Sequence, residues 1–341
     1  MSELSRNRLF SRRGFMRRAA GTAAAGATLV SLRALAARPE ATNPWAYDDT
    51  IYRRTDPKLV KYEEKARFSV AHSSPRCICL TKDERLVVGA GRFVCDYTLD
   101  GKLLSEFSLA DEVRCIAERD DLLYVGLREH IEVYERSGKR KEVWDTPGSK
   151  SYFTALAVSE KDLFAADAGN RVVLRYDRFG KLKGRIGDRR KEPPIPGFIV
   201  PSPFFDVALA PDGLLRVTNA GWHSVEAYTF DGDLEFAWGK PGAAIENFCG
   251  CCNPIKLAFL TDGRVVTFEK GIPRVKIHGP DGKFESVVAG AESFPENAKV
   301  CGPNDCTLGG LSGVVDSKGQ IYILDLVAAN VRRMTRKPTA T

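Results

Sequence analysis

A pattern of short strands that returns six times between residues 76 and 336 restricts the fold of this 341-residue chain more than any other feature. Each copy reads as a short apolar strand, a turn of the Asp-Gly kind, a second apolar strand, a polar turn and two further strands. Alignment of the first strands makes six residues equivalent, with neighbours 38 to 56 residues apart: Cys77, Cys115, Ala155, Val207, Leu257 and Gly313. No helical periodicity is sustained after residue 50, so the sequence predicts an all-β chain of six repeated units.

The third copy carries the clearest sequence signature. Its residues 167–177 read D-A-G-N-R-V-V-L-R-Y-D, and this stretch resembles the core of the NHL repeat. Copies four to six match that core in part, whereas copies one and two match it in strand pattern alone. The resemblance implies a six-bladed β-propeller in which every blade is a four-stranded antiparallel sheet.

The last copy, residues 311–337, has room for only three strands. Residues 59–68 precede the first copy and can supply the missing fourth strand. Because an open sheet edge invites aggregation, we expect this N-terminal strand to close the last blade, so that the propeller spans residues 59–337. Residues 37–58 are then predicted to be an extended strap and residues 338–341 a short tail, and we expect the protein to be a monomer.

The N-terminus resembles an export signal. Residues 11–17 read S-R-R-G-F-M-R and match the twin-arginine translocation (Tat) signal at its key positions. A mildly apolar stretch at 19–32 follows, and residues 34–36 read A-L-A, which is a possible cleavage site. The resemblance implies that residues 1–36 are a signal peptide and that the folded protein is exported to the periplasm or another extracytoplasmic compartment. Contact with a membrane is then expected only through an uncleaved signal.

The charge distribution argues against a nucleic-acid partner. The chain has a formal net charge of +7. Residues 1–36 contain seven arginines and one acidic residue and therefore hold +6 of it, which leaves +1 for the remainder. A nearly neutral body lacks the basic surface that binding to a phosphate backbone requires.

Five of the nine cysteines fall in two long connections, 240–254 and 291–310, which join successive blades on the same face: Cys249, Cys251, Cys252, Cys301 and Cys306. Three interpretations are open. Disulfides suit an exported protein; an iron–sulfur cluster needs four thiolates and can be inserted before twin-arginine export; zinc also accepts four thiolates. The spacing matches no ferredoxin pattern. The other four cysteines fall on predicted strands and are interpreted as core residues: Cys77, Cys79, Cys95 and Cys115.

A polar residue precedes the aligned position in all six blades, and together these residues predict a ring at the mouth of the central channel: Arg76, Arg114, Thr154, Asp206, Lys256 and Ser312. Three of them are cationic, which suits a small anionic ligand or an acidic loop of a partner protein; a water-filled channel is the simpler interpretation. Trp222 is predicted to be an exposed contact residue, and His223 fits a role in the turn.

Polar residues also end the second strand of blades three to six: Asp167, Asn219, Glu269 and Asp325. Lactonase-type propellers place such groups around one calcium ion. In blades like these, however, the acidic residue more often accepts hydrogen bonds from the backbone of its own turn, so we favour the turn role over calcium.

The sequence shows neither a nucleophile–base pair nor carboxylates with acid/base spacing. We therefore predict an exported, non-enzymatic propeller that binds a protein or a small anionic ligand on the face that carries the long loops. Two other functions stay open. One is a redox protein with an iron–sulfur cluster on the cysteine-rich loops, and the other, weaker one is a lyase- or lactonase-type propeller enzyme.

Overall fold

The computed structural model describes residues 50–188, 197–295 and 309–338. Within these ranges the chain forms six four-stranded antiparallel sheets. The first strand of each sheet contacts the first strands of the two neighbouring sheets, so the six sheets form a closed ring. The predicted six-bladed β-propeller is therefore confirmed. No helix in the described part of the chain is both long and apolar enough to cross a membrane.

The blades follow one another along the chain, each running from its inner to its outer strand. Blade 1 consists of β2 (Pro75–Leu80), β3 (Leu86–Ala90), β4 (Phe93–Tyr97) and β5 (Leu103–Ser108). Blade 2 consists of β6 (Cys115–Arg119), β7 (Leu122–Gly126), β8 (Ile131–Glu135) and β9 (Arg140–Val143). Blade 3 consists of β10 (Phe153–Val158), β11 (Asp162–Asp167), β12 (Val172–Asp177) and β13 (Leu182–Ile186).

The second half of the ring repeats this order until the last blade. Blade 4 consists of β14 (Val207–Leu209), β15 (Leu215–Asn219), β16 (Ser224–Tyr228) and β17 (Leu234–Trp238). Blade 5 consists of β18 (Lys256–Phe259), β19 (Val265–Phe268), β20 (Val275–His278) and β21 (Phe284–Ala289). Blade 6 consists of β22 (Leu311–Val315), β23 (Ile321–Asp325), β24 (Asn330–Arg336) and the N-terminal β1 (Tyr62–Ser69). Short 3-10 turns occur at Thr50–Arg53, Ala220–Trp222 and Ala291–Ser293.

The ring closes through β1, as the sequence predicts. This strand pairs antiparallel with β24, from Tyr62 opposite Arg336 to Ser69 opposite Asn330. It becomes the outermost strand of blade 6, so β24 does not present an open edge. Of the predicted strap, the structure describes only residues 50–58, where a 3-10 turn at Thr50–Arg53 precedes the strand.

The hydrophobic core lies between neighbouring blades. The indole of Trp144, which follows β9, packs between Tyr124 of its own blade (5.8 Å between ring centroids) and Tyr176 of blade 3 (5.6 Å). Such contacts recur because alternate residues of each strand point towards one neighbouring blade and the remainder towards the other. Burial between blades therefore accounts for strands that are apolar on both faces.

Glycines in the turns between third and fourth strands pack under the preceding blade. Gly138, with φ 87°, lies beneath the ring of Phe107 on β5, and Gly101, with φ 88°, lies beneath Phe68 on β1 in the same way. A Cβ at either glycine would collide with that ring, and the left-handed backbone also favours glycine. Phe68 on β1 thus covers the turn of blade 1 as Phe107 on β5 covers the turn of blade 2. Strand β1 therefore takes the place of a regular outer strand.

Candidate functional site

The inner strands all begin around one end of the central channel, and two of them begin with a β-bulge. The pairing register shifts by one residue between Pro75 and Cys77 in blade 1, and between Phe153 and Ala155 in blade 3. The extra residues are Arg76 and Thr154, both from the predicted ring. A bulge turns its extra side chain away from the regular alternation, and both residues line the cavity at this end of the channel.

The cavity has a volume of about 210 Å³. Five of the six predicted ring residues line it: Arg76, Arg114, Thr154, Lys256 and Ser312. The remaining wall is apolar and aromatic, with Tyr152, Phe204, Phe205, Ile255 and Leu311 among its members. The arrangement combines cations and hydroxyl groups with apolar surface, which is the usual composition of a small-molecule site.

Asp206, the sixth predicted ring residue, is buried and neutralises one of the three cations. Its Oδ1 lies 2.5 Å from Lys256 Nζ, and its Oδ2 accepts a hydrogen bond of 2.8 Å from the Leu257 amide. Burial lowers the pKa of Lys256, but the adjacent Asp206 carboxylate outweighs this effect and leaves the pKa raised. The lysine therefore stays protonated, and its charge is balanced within the protein.

The guanidinium of Arg114 is held in place by a tyrosine and an acid. Its Nη1 donates to the Tyr152 hydroxyl at 2.7 Å, and its Nη2 lies 3.1 Å from Glu112 Oε2. The guanidinium carbon also lies 5.0 Å from the centroid of the Tyr152 ring, within the range of a cation–π contact. Arg114 is thus orientated before any ligand arrives and is only partly neutralised.

Two polar side chains of the cavity make no hydrogen bond within the described residues. Arg76 is exposed, and among the residues that the structure describes it makes no hydrogen bond or ion pair. The Ser312 hydroxyl is buried and has no hydrogen-bond partner within the same described ranges. A buried polar group without a partner costs about 1–3 kcal/mol, so a ligand that bonds to Ser312 would recover part of that free energy.

Trp222 lies outside the cavity lining. It ends the short 3-10 turn in blade 4, and half of its side-chain surface is exposed (52%). The next residue, His223, closes the turn in the left-handed conformation (φ 56°), which agrees with its predicted turn role. The His223 Nε2 donates to the Gly250 carbonyl at 2.5 Å, so this turn contacts the first cysteine-rich connection.

Three of the five loop cysteines lie within the described residues. Cys249, Cys251 and Cys252 follow β17 on the connection to blade 5, and the sulfur atoms of Cys251 and Cys252 are 3.4 Å apart. Cys301 and Cys306 lie outside the described residues. The convergence of all five, and the choice between disulfides, a cluster and zinc, therefore remain predictions.

The other four cysteines are buried in strands, in agreement with the core interpretation: Cys77, Cys79, Cys95 and Cys115. Cys77 lines the floor of the cavity. Burial raises the pKa of its thiol to about 12, so at neutral pH it is protonated and weakly nucleophilic.

The four polar residues that end second strands bond in different ways. Asp167 Oδ1 accepts hydrogen bonds from the amides of Tyr152 and Asn170, and Asp325 Oδ1 accepts from those of Val327 and Ala328. These contacts agree with the favoured turn role. Asn219 instead binds the connection that enters blade 4, at Ile199 and Gly197, and Glu269 forms ion pairs with two buried cations, Arg274 and Lys276.

Sequence reasoning missed the aromatic wall of the cavity. Tyr152 and Phe204 each stand directly before the phenylalanine that leads into an inner strand, Phe153 in blade 3 and Phe205 in blade 4. This paired aromatic step was the available signal. The polar ring was found because it falls at a fixed position in every repeat, whereas the aromatic step occurs in only two.

Proteins of known structure share this fold at low sequence identity. A streptogramin B lyase structure gives a TM-score of 0.54 at 11% identity, over 81% of this chain and 98% of that one. A catalytically inactive virginiamycin B lyase from Staphylococcus aureus, crystallised with quinupristin, gives 0.55 at 11% identity, over 81% and 100% of the two chains. The WD40 domain of Pan2 from Neurospora crassa gives 0.52 at 12% identity, over 83% and 98%.

Neither a family model nor a curated protein matches the sequence. The resemblance to the NHL repeat and to the twin-arginine signal therefore stays a prediction. Lyases and a WD40 domain give similar TM-scores, and similarity at such low sequence identity shows shared architecture alone. The comparisons establish that this chain has the fold of a β-propeller.

Proposed function

We propose that this protein binds a small anion with an apolar or aromatic body in the cavity at the channel mouth. One observation carries the proposal: Arg76 faces the cavity with no partner among the described residues, opposite an apolar and aromatic wall. The charge of Lys256 is balanced by Asp206 and that of Arg114 is partly balanced by Glu112. Arg76 is therefore the cation with most to gain from an anionic ligand.

The chemistry of the cavity indicates which anion fits. A guanidinium presents two parallel N–H donors that match the two oxygens of a carboxylate. Phe204 and Tyr152 line the cavity and would contact an apolar or aromatic group of a ligand. The Ser312 hydroxyl adds a donor for a further polar substituent. A carboxylate attached to a compact apolar body uses all of these groups.

Replacement of Arg76 by methionine tests the proposal. Titration calorimetry with a panel of aromatic and branched aliphatic carboxylates, each beside its uncharged amide, should show binding of carboxylates to the wild type. A hydrogen bond to a charged group contributes about 1.5–3 kcal/mol, so Arg76→Met should weaken carboxylate binding about 10- to 100-fold. The amides should bind the variant and the wild type alike.

Arg92→Met is the matched control, because Arg92 is also an exposed arginine of blade 1 but does not line the cavity. It should leave the affinity unchanged. Equal losses in the two variants, or no carboxylate binding to the wild type, would show that Arg76 does not hold an anion.

We further propose that the protein acts outside the cytoplasm, on the strength of the twin-arginine pattern at residues 11–17. Replacement of Arg12 and Arg13 by lysine should leave the precursor in the cytoplasm, because the export receptor reads the arginine pair. Cell fractionation followed by immunoblotting measures the distribution. A normal periplasmic level of the double variant would contradict export by this route.

A further inference from the structure

In two blades, the side chain at one equivalent position of the third strand bonds to the connection that leads into that blade. This position lies two residues before a large buried side chain, such as Tyr97 in blade 1, and its occupants around the ring are Cys95, Glu132, Leu174, Glu226, Lys276 and Arg332. In blade 5, Lys276 Nζ donates to the carbonyls of Ile245 and Asn247 at 2.9 and 2.8 Å. In blade 6, Arg332 Nη1 donates to the Ser293 carbonyl at 3.0 Å.

Blade 1 has a thiol at this position, and a histidine and a glutamate stand beside it. Cys95 on β4 is fully buried (0% exposed), and its Sγ lies 3.8 Å from Glu106 Oε2 on β5. The Nε2 of His72, on the connection between β1 and β2, lies 2.9 Å from the same Glu106 oxygen. The three potential ligand atoms all lie within 4.8 Å of one another. Three separate elements thus bring a sulfur, a nitrogen and an oxygen donor together.

These separations are close to those around a single zinc ion. Bonds of about 2.0–2.3 Å at tetrahedral angles place neighbouring ligand atoms about 3.3–3.6 Å apart. The observed N–O and S–O distances of 2.9 and 3.8 Å bracket that range. The sulfur and the nitrogen lie within 4.8 Å of each other, so side-chain movements on the order of 1 Å would bring all three atoms to the separations that zinc requires.

The histidine is already orientated. Its ring stacks on Phe93 with 3.7 Å between centroids and an interplanar angle of 1°. The backbone beside it is fixed as well, because the Ala71 amide donates to the Tyr97 hydroxyl at 2.9 Å. Preorganisation of this kind lowers the entropic cost of binding an ion.

We propose that Cys95, His72 and Glu106 form a zinc site with three protein ligands and a fourth position open to solvent. Thiolate, imidazole and carboxylate are the ligands that zinc accepts in proteins. The partial exposure of the His72 and Glu106 side chains (26% and 38%) provides access and room for a water ligand. This site is separate from the cavity and does not depend on the function proposed for it.

Zinc binding would release the thiol proton and clamp the closure of the ring. Zinc binds cysteine as the thiolate, so formation of the zinc–sulfur bond would release the proton of Cys95 to solvent. Because His72 lies three positions after the end of the closing strand β1, the ion would join the connection that follows β1 to β4 and β5. The ion would thus link the third strand of blade 1 to the preceding connection, as the hydrogen bonds of Lys276 and Arg332 do in blades 5 and 6.

Metal titration of the metal-free protein tests the site. Cobalt(II), a spectroscopic substitute for zinc, should give a thiolate-to-metal charge-transfer absorption, and zinc should displace it. Zinc should also raise the Tm, by roughly 5 °C when free zinc exceeds the Kd a hundredfold. Cys95→Ser and His72→Ala should each remove one bound zinc ion or weaken its affinity more than about 100-fold. Residues that only orient a ligand already change metal affinity about 10- to 100-fold, so the loss of a direct ligand should exceed this range.

The two variants serve different purposes. His72 is partly exposed, so His72→Ala should fold even if the buried Cys95→Ser does not. His130→Ala is the matched control, because His130 Nε2 lies 3.4 Å from Glu132 Oε1 in a histidine–glutamate pair of blade 2; it should bind metal as the wild type does. A charge-transfer absorption that persists unchanged in His72→Ala and Cys95→Ser would place the metal on other cysteines and overturn the proposal, as would a wild type that binds no cobalt.

Discussion

Deletion of residues 59–69 is expected to abolish the cooperative folding of the propeller. The deletion removes β1 and leaves β24 as an unpaired edge along its whole length. It also removes buried Tyr62 and the ring of Phe68, which packs 5.3 Å from Tyr97 in blade 1. An exposed strand edge favours intermolecular pairing, so we expect soluble aggregates or no folded monomer.

Size-exclusion chromatography and thermal unfolding measure this outcome. Deletion of residues 50–58 is the control, since it removes a segment of similar length that precedes β1 and leaves the strand intact. The control should stay monomeric, with only a modest loss of Tm. If the protein without residues 59–69 is monomeric and melts at the wild-type temperature, β1 does not close the ring in solution.

The fold could be predicted from the sequence because its determinants are local and repeated. Alternating apolar strands and Asp-Gly turns recur at similar spacing, and six copies reinforce one another. Even the closing strand could be inferred, since the last copy is one strand short and an open edge is unfavourable. In both blade 1 and blade 2, a glycine of the last turn packs under a phenylalanine of the preceding outer strand: Gly101 under Phe68 and Gly138 under Phe107.

The polar residues of the candidate site could be predicted from the sequence, whereas its aromatic wall and its electrostatics could not. Six polar residues could be placed around the channel because they share one position in the repeat. The pairing of Lys256 with Asp206 joins residues 50 positions apart in sequence on neighbouring blades, and no local pattern reveals it. The bulges at Arg76 and Thr154 could not be predicted from the sequence either, because a bulge depends on how two strands pair.

The cluster of Cys95, His72 and Glu106 shows the same limit. Cys95 was interpreted as a core residue, and the structure does bury it completely. Its neighbours come from β5 and from the connection that follows the closing strand, so the cluster forms only once the ring is closed. Residue type and spacing predict a buried thiol, whereas the donors around it depend on tertiary contacts.

Replacement of Glu269 by alanine is expected to cause the largest loss of stability of any single substitution considered. Glu269 is fully buried, and its two carboxylate oxygens lie 2.7 Å from Arg274 Nη2 and from Lys276 Nζ, which are themselves 1% and 0% exposed. Alanine would leave two buried cations without their counter-charge. Breaking a buried ion pair in this way costs about 3–5 kcal/mol.

The loss should also depend on pH in a definite direction. Burial lowers the pKa of Lys276 from its usual value of 10.5 to about 8. Between these two values the unfolded chain binds a proton that the folded protein does not, so this lysine makes the folded state more stable as the pH rises through that window. Above pH 8 Lys276 is largely neutral, and Glu269 then balances Arg274 alone. The destabilisation by Glu269→Ala should therefore be smaller at pH 9.5 than at pH 7.

Urea unfolding of the wild type and the variant at both pH values measures these differences. Glu285→Ala is the control, since Glu285 belongs to the same blade but its pair with Arg264, at 3.4 Å, is partly exposed. An exposed pair contributes about 0–1 kcal/mol, so the control should remain close to the wild type at either pH.

Arg274 and Lys276 also bond to the carbonyls of residues 243–247. The Glu269 variant should therefore loosen the connection that carries Cys249, Cys251 and Cys252, and these thiols should react faster with a labelling reagent. Equal losses in the two variants, or a loss that grows with pH, would show that the buried charges do not act as the geometry indicates.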